Sequence, residues 1–225
     1  MAIYLRKNVI KYDELYQKGH DHEYPNLDLV RLAAAYFKVK NTKVLDYGFG
    51  TGENLIHLFK KGYKVYGAEA SIEAIRLVKR KIKKRNLPNK KISLIKLNED
   101  DDKIPFEDNF FDNIICTSVL SLLRSKENVI QLINEFHRVL KIEGKLIIDI
   151  NGPDSAFKIK GKFISEDMYQ SQIKNGENIS TYCPKSLKVF SKLFGKFHLD
   201  ELGEVKFKYF RFLEHEYIAC LRKKA

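Results

Sequence analysis

Two kinds of apolar pattern alternate along most of the chain. Short apolar runs predict strands around Val44 and at 63–68, 92–97, 109–117 and 145–150. Between them, apolar residues at helical spacing predict amphipathic helices, of which 128–140 is the strongest. Two more β-leaning runs, 205–212 and 216–221, close the sequence. Strands that alternate with helices are typical of a doubly wound α/β sheet.

Three glycines at alternate positions follow the first predicted strand: Gly48, Gly50 and Gly52. Glycine lets a backbone turn tightly and approach a ligand closely, and the helix that starts here favours an anionic group at its amino end. A dinucleotide fingerprint would need its third glycine where Glu53 stands, and that carboxylate would repel a pyrophosphate. Since Asp46 precedes the turn by two residues, the pattern suits a ligand with a small zwitterionic end.

A second acidic residue ends the next predicted strand. Glu69 follows Gly48 by about 20 residues, which is the spacing at which a carboxylate meets ribose hydroxyls in nucleotide-binding α/β sheets. A carboxylate can accept two hydrogen bonds from a diol. Because the carboxyl ends of parallel strands meet at one edge of the sheet, we expect Glu69 and the glycine turn to form one site.

The stretch 46–52 resembles motif I of the class I, Rossmann-like S-adenosylmethionine (SAM) methyltransferases. The resemblance implies that Asp46 and the three glycines wrap the amino-acid tail and ribose of SAM. It also implies that Glu69 holds the ribose and that Ala70 flanks the adenine. The cofactor predicted from these residues is therefore SAM.

Two further stretches resemble marks of the same family. In 98–106, the similarity implies that Asp100 accepts a hydrogen bond from the adenine amino group and that Asp101 offers its backbone N–H to the ring. A slip of one residue stays open, because three aspartates are consecutive. Thr117, at the end of the fourth predicted strand, is expected to face the methionine end of SAM, and Cys116 before it to be a core thiol. Many relatives carry histidines at the positions of Ser121 and Leu122. This sequence lacks them, so no general base can be assigned here.

The resemblance also implies a domain plan. Residues 1–225 are expected to form a single domain, with seven strands in a mostly parallel sheet whose last strand is antiparallel. The segment 1–26 is expected to be a lid over the cofactor, with Tyr16 reaching the SAM carboxylate; the alternative is that Tyr12 and Tyr16 simply pack on the body. Residues 152–184 lack a clear pattern, and we expect a substrate-recognition insertion there.

Composition narrows the class of protein and its partners. The sequence has 44% hydrophobic residues and no apolar run near the ~20 residues of a membrane span, so a globular chain without a membrane span is expected. Three widely spaced cysteines indicate a reducing cytoplasm, and they have no metal-site spacing. His20 and His22 would make only an incomplete metal site, so no metal is predicted.

The net charge of +12 is compatible with an anionic partner such as RNA. A general richness in lysine explains it equally well, and the basic residues in 79–85 are expected to solvate the end of a helix. The stretch 117–119 lacks the Asp/Asn-Pro-Pro-aromatic run of amino-methylating nucleic-acid enzymes. Nucleic acid is therefore the less favoured partner.

These observations predict an enzyme that transfers the methyl group of SAM to a small-molecule acceptor by in-line displacement. O- or N-methylation of a sugar or another metabolite is expected. One alternative is an RNA methyltransferase that uses the basic surface, and another is a SAM-binding protein without catalysis. The acceptor, the methylated atom and the oligomeric state stay open.

Overall fold

The computed structural model describes residues 6–37, 39–88, 91–98, 101, 103–172, 178–209 and 212–224. The strands are β1 (Lys43–Tyr47), β2 (Lys64–Glu69), β3 (Ile92–Lys96), β4 (Phe111–Cys116), β5 (Leu140–Asn151), β6 (Lys162–Ser165), β7 (Met168–Gln172), β8 (Asn178–Tyr182), β9 (Phe197–Tyr209) and β10 (Phe212–Lys223). The helices are α1 (Arg6–Gln17), α2 (Leu27–Tyr36), α3 (Glu53–Lys60), α4 (Ile72–Lys84), α5 (Lys126–Val139), α6 (Ala156–Ile159) and α7 (Leu187–Ser191).

Seven of the strands form one sheet in the order β3-β2-β1-β4-β5-β10-β9. The first five are parallel, whereas β10 runs antiparallel to both of its neighbours, β5 and β9. The doubly wound, mostly parallel sheet with an antiparallel last strand is therefore confirmed. The strand order reverses beside β1, which lies between β2 and β4, so the crevice at the carboxyl end of β1 is where such a fold binds its ligand.

The two faces of this sheet are covered by different helices. Val44, Ile115 and Ile147 point to one face and are buried in a cluster with Leu29 of α2. Their chain neighbours point to the opposite face, as the pleat of a strand requires, and are buried with Phe136 of α5. Because both faces are covered, the central strands are continuously apolar, which is why the sequence identified them.

The structure departs from the predicted elements in the segment 152–184. Here β6, β7 and β8 form a separate three-stranded antiparallel sheet. All four residues of β6 are exposed, so this strand has no alternation of apolar and polar positions for a sequence to reveal. The strand β5 is also longer than the predicted run 145–150, because its first residues continue directly from α5.

No helix within the described ranges is long and apolar enough to cross a membrane. The expectation of a single domain over 1–225, with a lid and an insertion, stays a prediction.

Candidate active site

The glycine turn between β1 and α3 has a backbone that only glycine adopts easily. Gly48, Gly50 and Gly52 have φ angles of +71°, +49° and +79°. A methyl group on Gly48 would collide with Val119, and one on Gly52 would collide with Val78. The side chains that surround the turn therefore exclude any larger residue, and the backbone itself forms the wall of the crevice.

Glu69 lies beside this turn at the end of β2. Its carboxylate accepts hydrogen bonds from the backbone N–H of Gly50 at 2.9 Å and from that of Ser71 at 2.8 Å. Burial raises the pKa of Glu69, and these backbone hydrogen bonds oppose the rise. The carboxylate thus joins the ends of β1 and β2.

Asp46 is a buried acidic residue that fits a cationic ligand. Its side chain is 2% exposed, and its Oδ2 atom has no hydrogen-bond partner among the described residues. Burial and the nearby charge of Glu69 raise the pKa of Asp46 to about 8, against a backbone hydrogen bond from Leu55. An orphaned carboxylate oxygen in the crevice suits an ammonium or sulfonium group, and SAM carries both.

Tyr16 of α1 lies over the turn. Its hydroxyl oxygen is 2.9 Å from the place where a side chain on Gly50 would begin, and its ring packs on the core beneath α3 and α4. Burial raises the pKa of Tyr16 well above its usual value, and the charge of Glu69 adds to the effect. The tyrosine therefore packs on the body and has its hydroxyl at the predicted site, so both expectations for Tyr16 fit this position.

The other predicted residues are placed as follows. Thr117 is buried, and its hydroxyl accepts a hydrogen bond from the Nδ2 of Asn54 at 3.1 Å. Ala70 is buried beside Glu69. The backbone N–H of Asp101 donates to the carbonyl of Asn98 at 3.2 Å, and Asp100 lies outside the described residues. The roles of these side chains towards the cofactor stay predictions.

Two polar residues of α1 fasten the amino-terminal helix across the crevice. Asp13 accepts hydrogen bonds from the Ser71 hydroxyl and, at 3.2 Å, from the backbone N–H of Glu73. Asn8 donates to the carbonyls of Leu122 at 2.8 Å and Ser180 at 3.0 Å. One side of α1 is thus attached to the start of α4, and the other to β8 and the turn after β4.

A buried lysine connects this amino-terminal segment to the glycine turn. Lys81 of α4 donates to the Thr51 carbonyl at 2.9 Å, to Glu53 at 2.8 Å and to the His22 carbonyl at 3.2 Å, and it pairs with Asp21. Both terminal nitrogens of Arg85 donate hydrogen bonds to the carboxylate of Glu53, at 3.0 and 2.9 Å.

The sequence interpretation of this basic helix end was therefore wrong at Lys81. Lys81 points inward because Glu53, at the start of α3, is 7% exposed and needs compensating charge. Arg85 pairs with Glu53 from an exposed position. Glu53 also keeps a low pKa, since its hydrogen bonds to the two cations oppose the effect of burial.

A row of polar side chains crosses the carboxyl edge of the sheet on one face. Register places Asp46 opposite Gly67 of β2, so that it shares a face with Glu69, and Thr117 follows on β4 by the same alternation. Asp149 of β5 and Glu216 of β10 continue the row, because Glu216 pairs with Asn151. Sequence reasoning missed the last two, which could have been found only by knowing the register of β5 and β10.

Asp149 of β5 lies beside the carboxyl end of β4. Its Oδ1 accepts the backbone N–H of Ser118 at 2.6 Å, while its Oδ2 has no partner among the described residues. Ser118 has a φ of +59°, so this hydrogen bond holds a backbone conformation that serine seldom adopts. Burial and the charge of Glu216 raise the pKa of Asp149.

The architecture and the glycine-turn site together define the class of protein. The sheet order, the antiparallel last strand and the crevice with its two carboxylates are those expected for a class I, Rossmann-like SAM-dependent methyltransferase. A family model described as a methyltransferase domain matches residues 45–148. This part of the chain is therefore a methyltransferase domain with the class I fold, and the family predicted from the motifs is confirmed.

Individual relatives agree with this assignment. The chain is 34% identical over 122 residues to the putative methyltransferase YqeM of Bacillus subtilis; the match covers 54% of this chain and 46% of that protein. The chain thus spans about half the length of that curated relative.

Solved structures share the fold. A SAM-dependent methyltransferase from Methanosarcina mazei superposes with a TM-score of 0.73 at 21% identity, covering 91% of this chain and 99% of the other. A SAM-dependent methyltransferase from Clostridium acetobutylicum superposes with a TM-score of 0.67 at 15% identity, covering 96% and 97% of the two chains. These structures show that the fold is shared, and the methyltransferase family of residues 45–148 implies SAM as the cofactor.

Proposed function

We propose that this protein transfers the methyl group of SAM to the oxygen or nitrogen of a small molecule. The observation that carries the proposal is the glycine turn with Asp46 and Glu69 beside it, at the point where the strand order reverses. Asp46 supplies an unpartnered carboxylate oxygen for a cationic group, and Glu69 lies one strand away for the ribose hydroxyls.

When bound, SAM supplies a methyl group that its sulfonium already activates. The protein then has mainly to hold the acceptor in line with that methyl group and to exclude water. We assign the turn glycines, Asp46 and Tyr16 to the amino-acid end of the cofactor, Glu69 to the ribose, Ala70, Asp100 and Asp101 to the adenine, and Thr117 to the methyl end. The segment 1–26 acts as the lid, and 152–184 contributes to acceptor recognition.

Calorimetric titration with SAM and, separately, with NAD tests the cofactor assignment. We expect micromolar SAM binding and no response to NAD. Glu69→Ala should weaken SAM binding by about 1–3 kcal/mol, because the ribose loses a charged acceptor, whereas Glu107→Ala in the exposed loop before β4 should not change it. A chain that does not bind SAM would overturn the proposal.

RNA methylation is the second candidate, favoured by the net charge of +12. If RNA is the acceptor, its affinity for the protein should fall steeply as salt rises, because bound cations are released from the phosphates. A flat dependence on salt, measured with a mixed single-stranded RNA, would count against RNA.

The compartment we propose is the cytoplasm. The support is chemical, since Cys116, Cys183 and Cys220 are all free, buried thiols. A cytoplasmic fraction without the protein would contradict it.

A further inference from the structure

A cavity of about 350 Å³ lies between the start of α2 and the β9–β10 hairpin. Its apolar wall comes from Leu27, Val205 and Phe207. Its polar wall comes from Asn26, Asp28, Arg31, Glu214 and Glu216. The volume is at the lower end of the range that holds small organic ligands.

The charge in this cavity is opposite to that of the protein as a whole. Three carboxylates line it, and Arg31 is largely exposed and paired with Asp28 at 3.4 Å. In a chain with a net charge of +12, a concave surface with an acidic lining favours a cation over an anion. The apolar residues on the other wall favour a ligand with an apolar body.

Asp149 adds a buried carboxylate behind Glu216. Glu216 pairs with Asn151 and Ile218 pairs with Asp149, so Asp149 and Glu216 lie on the same face of adjacent strands. Asp149 is 1% exposed, its Oδ2 has no partner among the described residues, and its charge interacts with that of Glu216. Asp149 does not line the cavity, but it places a buried carboxylate oxygen without a described partner close enough to Glu216 for the two charges to interact.

One hydrogen-bonded connection runs from the cavity to the end of β4. Asn26, which lines the cavity, donates its backbone N–H to Asn54 Oδ1 at 2.8 Å, and Asn54 donates to Thr117. Asp149, whose charge interacts with that of Glu216 in the cavity, accepts a hydrogen bond from the N–H of Ser118. The cavity is thus adjacent to the strand end to which we assign the methyl group of the cofactor.

We propose that this cavity binds the methyl acceptor, that the acceptor is an amphipathic amine bound as its ammonium ion, and that Glu216 takes the proton from its nitrogen. The proposal rests on the methyl transfer proposed above and names the substrate class for it.

The proton step leaves the nitrogen able to react. An N–H bond of the ammonium breaks and an O–H bond forms on the Glu216 carboxylate, so the nitrogen regains its lone pair. The C–N bond then forms as the methyl–sulfur bond breaks, and the electron pair of that bond remains on sulfur. The proton on Glu216 leaves to solvent, so one proton is released for each methyl group transferred.

The surroundings of Glu216 suit it to this step. The charged groups that face it are Glu214 on its own strand, Asp28 and Arg31 on α2, and Asp149 on β5; the positions opposite on β9 are apolar. Burial and the charges of Glu214 and Asp28 raise the pKa of Glu216 to about 7. A general base is most effective in catalysis when its pKa lies near the working pH.

Binding of matched probes tests the charge preference without any need for turnover. Tyramine and its neutral analogue tyrosol, which has a hydroxyl in place of the ammonium, are titrated into the protein with and without S-adenosylhomocysteine; butylamine and butanol form a second pair. We expect each amine to bind at least about tenfold more tightly than its alcohol. Equal affinities within both pairs, or no binding of either amine, would overturn the proposal.

Variants locate the preference in the cavity. Glu216→Gln and Glu214→Gln should each reduce the ratio of amine to alcohol affinity, whereas Glu107→Gln, an exposed change at the opposite edge of the sheet, should leave it unchanged. A preserved ratio in Glu216→Gln would contradict the assignment. If Glu216→Gln does not fold, the affinity ratio of the wild-type protein and the change in that ratio in Glu214→Gln still test the proposal.

A pH series separates the proton step from a purely structural role. With tyramine as the acceptor, the turnover rate of the wild-type protein should rise with pH through about 7. Glu216→Gln should turn over more slowly, and its rate should no longer rise with pH in this range. Binding of the amines without turnover, in a protein that binds SAM, would overturn the assignment of this cavity to the acceptor. Failure to bind SAM would overturn the proposed function instead, and the amine titrations would still report on the cavity.

Discussion

The two ends of the crevice are built differently. At the proposed cofactor end, the glycine turn is enclosed by Val119, Val78 and Tyr16. The buried Lys81 pairs with Glu53 and with Asp21, and so connects the amino-terminal segment to this turn. At the proposed acceptor end, the cavity between the start of α2 and the β9–β10 hairpin opens to solvent. The strand β6, in the segment 152–184 that we assign to acceptor recognition, is exposed along its whole length.

This difference reflects what each end has to recognise. SAM is the same molecule in every enzyme that uses it, so its site can be built from backbone atoms and fixed carboxylates at the ends of strands. The acceptor differs between enzymes, so the site that we propose for it can consist of strand edges and exposed side chains that can change with little cost in stability. The following predictions test that contrast, from the largest expected effect to the smallest.

Substitution of Gly48 by alanine should damage the cofactor end most. The left-handed φ and the collision with Val119 should together lower the free energy of unfolding by about 3 kcal/mol, measured by urea denaturation. The control is Gly195→Ala, where φ is −54° and the added methyl group meets no atom within 4 Å. That change should raise the stability by about 0.4–1 kcal/mol. Equal effects in the two variants would remove the argument for a sterically closed turn.

Removing the buried Lys81 should loosen the amino-terminal segment around residues 18–25. Lys81→Met leaves Glu53 with Arg85 alone and releases the Asp21 carboxylate and the His22 carbonyl, so we expect a loss of about 3 kcal/mol in the free energy of unfolding. Amide hydrogen exchange should also become faster at 18–25. Lys79→Met, an exposed change on the same helix, is the control and should alter neither quantity. Unchanged exchange at 18–25 in Lys81→Met would show that the segment is held by other contacts.

Binding of SAM should release a proton from Asp46. In the free protein this carboxyl, with a pKa of about 8, is largely protonated at pH 7, and a cation beside it should lower that pKa. The affinity for SAM should therefore rise with pH towards 8, by at most about tenfold per pH unit. Calorimetry in buffers with different ionisation enthalpies measures the proton, and Asp46→Asn should release less. Proton uptake on binding would contradict the assignment.

The raised pKa of Asp46 also determines how the stability of the free protein changes with pH. Since the folded pKa of Asp46 lies above that of an unfolded aspartate, the native state binds more protons between about pH 4 and 8, and the contribution of Asp46 to stability falls as pH rises through this range. Asp46→Asn should flatten this part of the stability profile, which thermal unfolding at several pH values would measure.

Changes on β6 should have the smallest effect. Phe163 is 64% exposed, so Phe163→Ala should change the free energy of unfolding by less than about 0.5 kcal/mol. A loss above about 1 kcal/mol in urea denaturation would mean that the acceptor end is packed as firmly as the cofactor end, and the contrast would fail.

The parts of the site that the sequence predicted are those that depend on neighbours in the chain. Gly48, Gly50 and Gly52 had to follow a strand directly, and Glu69 had to end the next one, so spacing alone located them. The central parallel strands β1 and β4 were predictable because burial on both faces makes them almost continuously apolar.

The rest depends on partners far apart in the sequence. Lys81 meets Glu53 across 28 residues, and a lysine near a helix end is usually solvated, so local reasoning chose the commoner outcome. Asp149 and Glu216 are 67 positions apart and meet only through the register of two antiparallel strands. The three strands within 152–184 were missed because β6 lacks the alternating burial by which a strand is recognised.

The position of β10 between β5 and β9 has a consequence for synthesis of the chain. Among the described strands, β9 has β10 as its single neighbour in the large sheet, and β10 is made later. While the ribosome translates residues 197–209, that strand has no partner, and the edge of β5 is open as well. The edge of β5 and the inner edge of β9 close only when 212–223 emerge from the exit tunnel. A nascent chain paused before this point leaves both of these edges unpaired and accessible to chaperones or to other chains.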